Sequence, residues 1–70
     1  MKLGDRVRVM RHMGTIIEPD EILLAKREAL RKNPNGFVCI HFDGPGPYGD
    51  GYAVYRNGDT DMIIRVLVRR

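Results

Sequence analysis

The side chains with the most reach for chemistry lie in one short stretch. Cys39, His41 and Asp43 stand two apart, and in an extended backbone residues two apart share a face. A His-Asp pair is the orienting half of a nucleophilic unit, and a thiol beside an imidazole makes a Cys-His dyad. Cys39 is the sole cysteine and sits between Val38 and Ile40, so the expectation is an inert, buried thiol. With only His12 and His41 beside it, no metal-ligand set is expected either. Downstream, Gly44-Pro45-Gly46-Pro47-Tyr48-Gly49 fits the G-x-G-x-x-G pattern. That pattern holds phosphate when a helix begins directly after it with free amides. Here two prolines remove donors and a strand-like run follows, so residues 43–51 read as a loop and no cofactor is expected. Such loops carry contacts, and Tyr48 and Tyr52 are the candidate partner-binding residues. The remaining chemistry belongs to arginine. Arg6, Arg8 and Arg11 near one end, with Arg65 and Arg69 near the other, make a phosphate-binding patch if the ends of the chain meet.

These side chains must be positioned by a chain of 70 residues carrying a formal charge of +3. That length gives room for one domain, residues 1–70, with a marginal core. A core this small needs a staple, and without a disulfide or metal the expected one is self-association. A lone thiol and a charged opening segment point to a cytoplasmic protein, and no apolar run is long enough for a membrane span.

Val7 and Val9 alternate with Arg6 and Arg8, the pattern of a half-buried strand, and Thr15-Ile16-Ile17 resumes an extended run. One helix is predicted over about residues 19–32. Pro19 suits its first position, and acidic Asp20 and Glu21 face basic Arg31 and Lys32 along the dipole. Ile22, Leu23, Ala25, Ala29 and Leu30 would form its apolar stripe, leaving Leu24 on the charged side. Phe37 to Phe42 is a strand with little polar relief. Asn57-Gly58 predicts a hairpin joining Tyr52–Arg56 to Met62–Val68, with Arg56 opposite Asp59. The sum is a mostly-β fold of about five strands with one inserted helix, and closure into a barrel would protect the sheet edges.

Gly4-Asp5-Arg6-Val7-Arg8-Val9, Gly14-Thr15-Ile16, Phe42-Asp43-Gly44 and Tyr52-Ala53-Val54 together resemble the strand openings of SH3-like barrels. The resemblance covers most of the chain and skips the helix. It implies that first and last strands are neighbours, which would gather Arg6, Arg8, Arg11, Arg65 and Arg69 on one side. Gly4-Asp5-Arg6-Val7-Arg8 and Gly51-Tyr52-Ala53-Val54 also resemble the type II dihydrofolate reductases, tetrameric SH3-like barrels with a shared pore. Asp61-Met62-Ile63-Ile64 stands where that family has Val-Gln-Ile-Tyr, and Val9-Met10 stands where its lysine falls. The resemblance therefore implies the fold and the oligomer rather than the reductase activity.

The expectation is a non-enzymatic SH3-like module that self-associates, forming a dimer or larger assembly, and binds a protein partner. Apolar residues on both sides of the final hairpin, with Leu24 on the helix, supply the candidate interface: Val54, Ile63, Leu67 and Leu24. The alternatives are a nucleic-acid surface built on the arginines and an oligomeric enzyme related to type II dihydrofolate reductase.

Overall fold

The computed structural model describes residues 2–66. Five antiparallel strands form one sheet in the order β4-β3-β2-β1-β5, curled into a half-barrel. β1 (Arg6–Val9) and β2 (His12–Ile17) are joined by a two-residue turn, with Val9 level with His12. β3 is Phe37–Phe42, β4 is Tyr52–Arg56 and β5 is Ile63–Arg65. β5 returns to lie beside β1, with Val9 level with Ile63 and Val7 level with Arg65. First and last strands are thus neighbours, as the sequence implied.

Alternation sorts the sheet into two faces. Val7, Val9, Ile16, Ile40, Phe42, Ala53 and Ile63 fill the inner core, with Val38 and Tyr55 packed against it. The opposite set on β2, β3 and β4 forms a second cluster beneath the helical insertion, where Cys39 meets Leu23 and Leu30, flanked by Ile17, Phe37, Tyr52 and Val54. β3 reads as an almost unbroken apolar run because it is covered on both faces. At Gly14 the strands approach so closely that a Cβ would lie 2.7 Å from Ile40 Cγ2 and 2.9 Å from the His41 carbonyl.

The insertion occupies the expected place between β2 and β3 but is two short helices, α1 (Glu21–Lys26) and α2 (Glu28–Lys32), followed by a 3-10 turn over Pro34–Gly36. Asp20 caps α1, its carboxylate accepting from the Leu23 N–H at 2.9 Å, so Pro19 precedes the cap rather than opening the helix. The helical run breaks at Arg27, in extended backbone, and Leu23 and Leu30 both reach the sheet. This also corrects the stripe: Ile22, Ala25 and Ala29 are exposed, while Leu24 is half-buried.

The predicted hairpin is corrected too. Asn57-Gly58 does form a turn, with the Asp59 N–H donating to the Arg56 carbonyl at 2.9 Å. The chain then turns again, Ile63 N–H to Thr60 C=O at 3.0 Å, and crosses to β1. β4 and β5 lie at opposite ends of the sheet order. A turn fixes only a local reversal; pairing with β1 buries Ile63 against Val9, and that decides which strand β5 joins.

Candidate binding surfaces

On the outer face, ladder partners align Arg6, Thr15, His41 and Tyr52 in one row across four strands. Its end on β1 is a clamp. Arg6 Nη1 donates to Thr15 Oγ1 at 2.8 Å and to Asp43 Oδ1 at 2.9 Å, while Nη2 bonds the other carboxylate oxygen. The hydrogen bond from Arg6 holds the Asp43 carboxyl below its ordinary value, and Asp43 raises the guanidinium in return. At the other end the His41 and Tyr52 rings stack with centroids 4.8 Å apart. The Tyr52 hydroxyl donates to Asp20 at 3.4 Å, and burial, followed by the Asp20 charge, raises its pKa.

Cys39, His41 and Asp43 do share this face, yet the thiol is sealed beneath α1 and α2. Burial pushes its pKa up, and the Asp20 charge adds to that. Nucleophilic chemistry needs a thiolate with access; Cys39 has neither advantage. The sequence pattern placed Asp20 inside the first helical turn for its charge and left its capping role unread, although an Asp directly after Pro and ahead of an apolar run is a helix-cap pattern. It caps α1, holds the Tyr52 hydroxyl and loads negative potential onto both neighbours.

The arginines do not form one patch. Arg6 and Arg8 alternate with buried Val7 and Val9 and point outward. Arg65 stands level with inward-facing Val7, so parity sends it to the other side, where its Nε lies 3.6 Å from Asp5. Arg11 is exposed in the β1–β2 turn, and Arg69 lies outside the described residues. Among the described residues, two of the arginines named for the patch, Arg6 and Arg65, are ion-paired.

Tyr48 and Tyr52 are also separated. The 43–51 loop folds back through bonds from Gly51 N–H to Pro45 C=O at 2.7 Å and from Phe42 N–H to Gly51 C=O at 2.8 Å. Gly46, at φ +70°, lies so near that its Cβ would stand 2.5 Å from the Phe42 ring. The loop therefore packs toward the inner face. There the Tyr48 and Tyr55 hydroxyls meet at 2.8 Å, and burial with that hydrogen bond raises the Tyr55 pKa. Tyr48 remains 53% exposed, whereas Tyr52 belongs to the outer row.

The residues expected at an oligomer contact scatter. Ile63 is 8% exposed and belongs to the inner core of its own chain. Val54 lies on the outer face of β4 at the far end of the sheet, half-buried against the insertion. Leu24 packs against the same cluster, and Leu67 lies outside the described residues. The continuous apolar hairpin surface disappears with the hairpin.

What the sequence reading missed is a groove at the base of the insertion. Two adjoining cavities of about 330 and 410 Å³ share Glu18, Pro19, Pro34 and Asn35. Leu24 and Arg31 complete the first, and Leu3, Phe37 and Val38 help line the second. The signal was present as two prolines bracketing the insertion, which stiffen the entry and exit of the chain. Among the described residues no helix is long and apolar enough to cross a membrane, and no cluster of His, Cys, Asp or Glu has a metal-binding arrangement. Compared with protein-family models, curated proteins and solved structures, the chain has no match.

Proposed function

We propose that the chain is a non-enzymatic SH3-like interaction module that associates with itself and holds a protein partner in the groove at the base of its insertion. The SH3-like reading is supported by a first strand flanked by the second and the last, with the long insertion between β2 and β3. The observation that carries the partner reading is the groove itself. Pro19, Leu24, Pro34 and Phe37 give it apolar surface beside the amides of Asn35 and Asn57, with Glu18 and Arg31 adding one charge of each sign. Concave, mostly apolar sites with a few placed polar groups are how proteins hold ligands, and an extended segment with apolar side chains fits a groove bounded by prolines. Self-association is supported by the small core that a chain of this size encloses.

A nucleic-acid surface has less support. Phosphate would have to displace Asp43 from Arg6 and Asp5 from Arg65, which among the described residues of the patch leaves Arg8 and Arg11 to supply the attraction.

The test is a displayed library of extended peptides panned against the chain, with the enriched peptide titrated into isotope-labelled protein. Amide shifts are expected to concentrate on Leu24, Arg31, Phe37 and Val38, and Leu24→Asp is expected to abolish them. No enrichment, or shifts confined to another face, ends the reading.

A further inference from the structure

Among the described residues β4 pairs with β3 alone, so its other edge is open. Which groups face that edge follows from the ladder. The Phe42 N–H donates to the Gly51 carbonyl at 2.8 Å and the Asn57 N–H to the Gly36 carbonyl at 3.1 Å. Both bonds continue the register that sets Phe37 level with Arg56 and His41 level with Tyr52. In an antiparallel ladder, residues bonded to one neighbour alternate with residues that point away from it. Gly51, Ala53, Tyr55 and Asn57 therefore bond toward β3, and Tyr52, Val54 and Arg56 turn their backbone groups outward.

Two of those outward groups are capped from within the chain. The Tyr52 N–H donates to Asp50 Oδ1 at 3.0 Å, and the Arg56 carbonyl accepts from the Asp59 N–H at 2.9 Å. The Tyr52 carbonyl, both groups of Val54 and the Arg56 N–H remain for pairing.

We infer that β4 pairs antiparallel with β4 of a second copy, about a two-fold axis at Val54, so that two half-barrel sheets join into one. Val54 then exchanges both bonds with its counterpart, and each Arg56 N–H donates to the Tyr52 carbonyl of the other copy. The two capped groups, Tyr52 N–H and Arg56 C=O, are the ones that would have bonded each other across the axis. Capping both ends therefore leaves no orphan, which favours a second copy over an unrelated strand. Side chains match as well. On the outer face Arg56 meets the Tyr52 ring, a cation–π pair, and Val54 meets Val54. On the inner face small Ala53 lies opposite large Tyr55. Between Tyr52 and Arg56 the edge carries no lysine, proline or bulge, devices that keep edges apart, and its one charged side chain is Arg56, which this pairing sets against the Tyr52 ring. β5, the other edge, has three residues including Arg65.

This pairing rests on the self-association reading, and the experiment separates the two. Residue-resolved amide exchange of the whole chain is followed from about 10 µM to about 1 mM, alongside sedimentation. The Val54 and Arg56 amides are expected to slow about tenfold or more as dimer forms, while Ala53 and Tyr55 stay protected throughout. A dimer in which Val54 and Arg56 exchange at unchanged rates overturns the pairing and keeps self-association. A monomer at every concentration overturns both.

Discussion

Met10 carries the clearest local strain among the described residues. It is the one non-glycine residue there with positive φ, at 56°, in a two-residue turn that would suit glycine. Left-handed backbone costs an L side chain about 1–2 kcal/mol, and Met10 is 57% exposed, so little packing offsets it. Met10→Gly is expected to raise stability by about 1 kcal/mol in chemical denaturation; a loss would mean that the side chain holds something the turn needs. Gly14 is the converse case, where Gly14→Ala presses a methyl onto the His41 carbonyl and is expected to cost about 1–3 kcal/mol. The Arg6–Asp43 clamp has a pH signature. Because Arg6 holds Asp43 below its ordinary 3.8, its contribution is complete above that value and is lost as pH falls through the lowered one. Both groups are solvent-facing, so the stability at stake is small. Arg6→Met is expected to return Asp43 to near 3.8 in a carboxyl NMR titration; a value that stays low would assign the effect to His41.

Elements were legible where one local rule sufficed. Alternating Val and Arg placed β1, and the unrelieved run from Phe37 to Phe42 marked the strand with apolar cover on both faces. The break at Arg27 was not legible, because neither glycine nor proline marks it. The fate of Asn57-Gly58 was illegible too, since β5 is claimed by β1 from 54 residues upstream, with Val9 level with Ile63. Of the candidate site, Cys39, His41 and Asp43 were placed on one face by parity alone. The groove needs both ends of the insertion in position and has no local pattern. The insertion is too short to be helical without its contacts, which yields a prediction at this scale. Asp20→Ala removes the cap of α1 and is expected to cost about 1 kcal/mol. Leu30→Ala empties a fully buried site and is expected to cost about 2–4 kcal/mol. If the cost of Leu30→Ala fell within a few tenths of zero in denaturant titration, the insertion would not be an integral part of the core.

At the scale of the whole molecule, two small cores share one sheet, and Cys39, Ile17 and Val54 on one face lie back to back with Ile16, Ile40 and Ala53 on the other. Loss of either cover exposes β3, so the insertion and the half-barrel are expected to unfold in one transition. The proposed self-association would add a coupling that a monomer lacks. Binding between native copies draws the folding equilibrium toward the native state by mass action. Once concentration exceeds the dissociation constant, each tenfold increase adds about 1.4 kcal/mol per dimer, or about 0.7 kcal/mol per chain. For a self-associating chain of this size the melting temperature is then expected to rise by about 3–5 °C per decade. Thermal melts followed by far-ultraviolet circular dichroism across two decades of concentration measure it directly. A melting temperature independent of concentration would mean that the half-barrel holds its two cores without help from a second copy, and the open edge of β4 would then have no part in its stability.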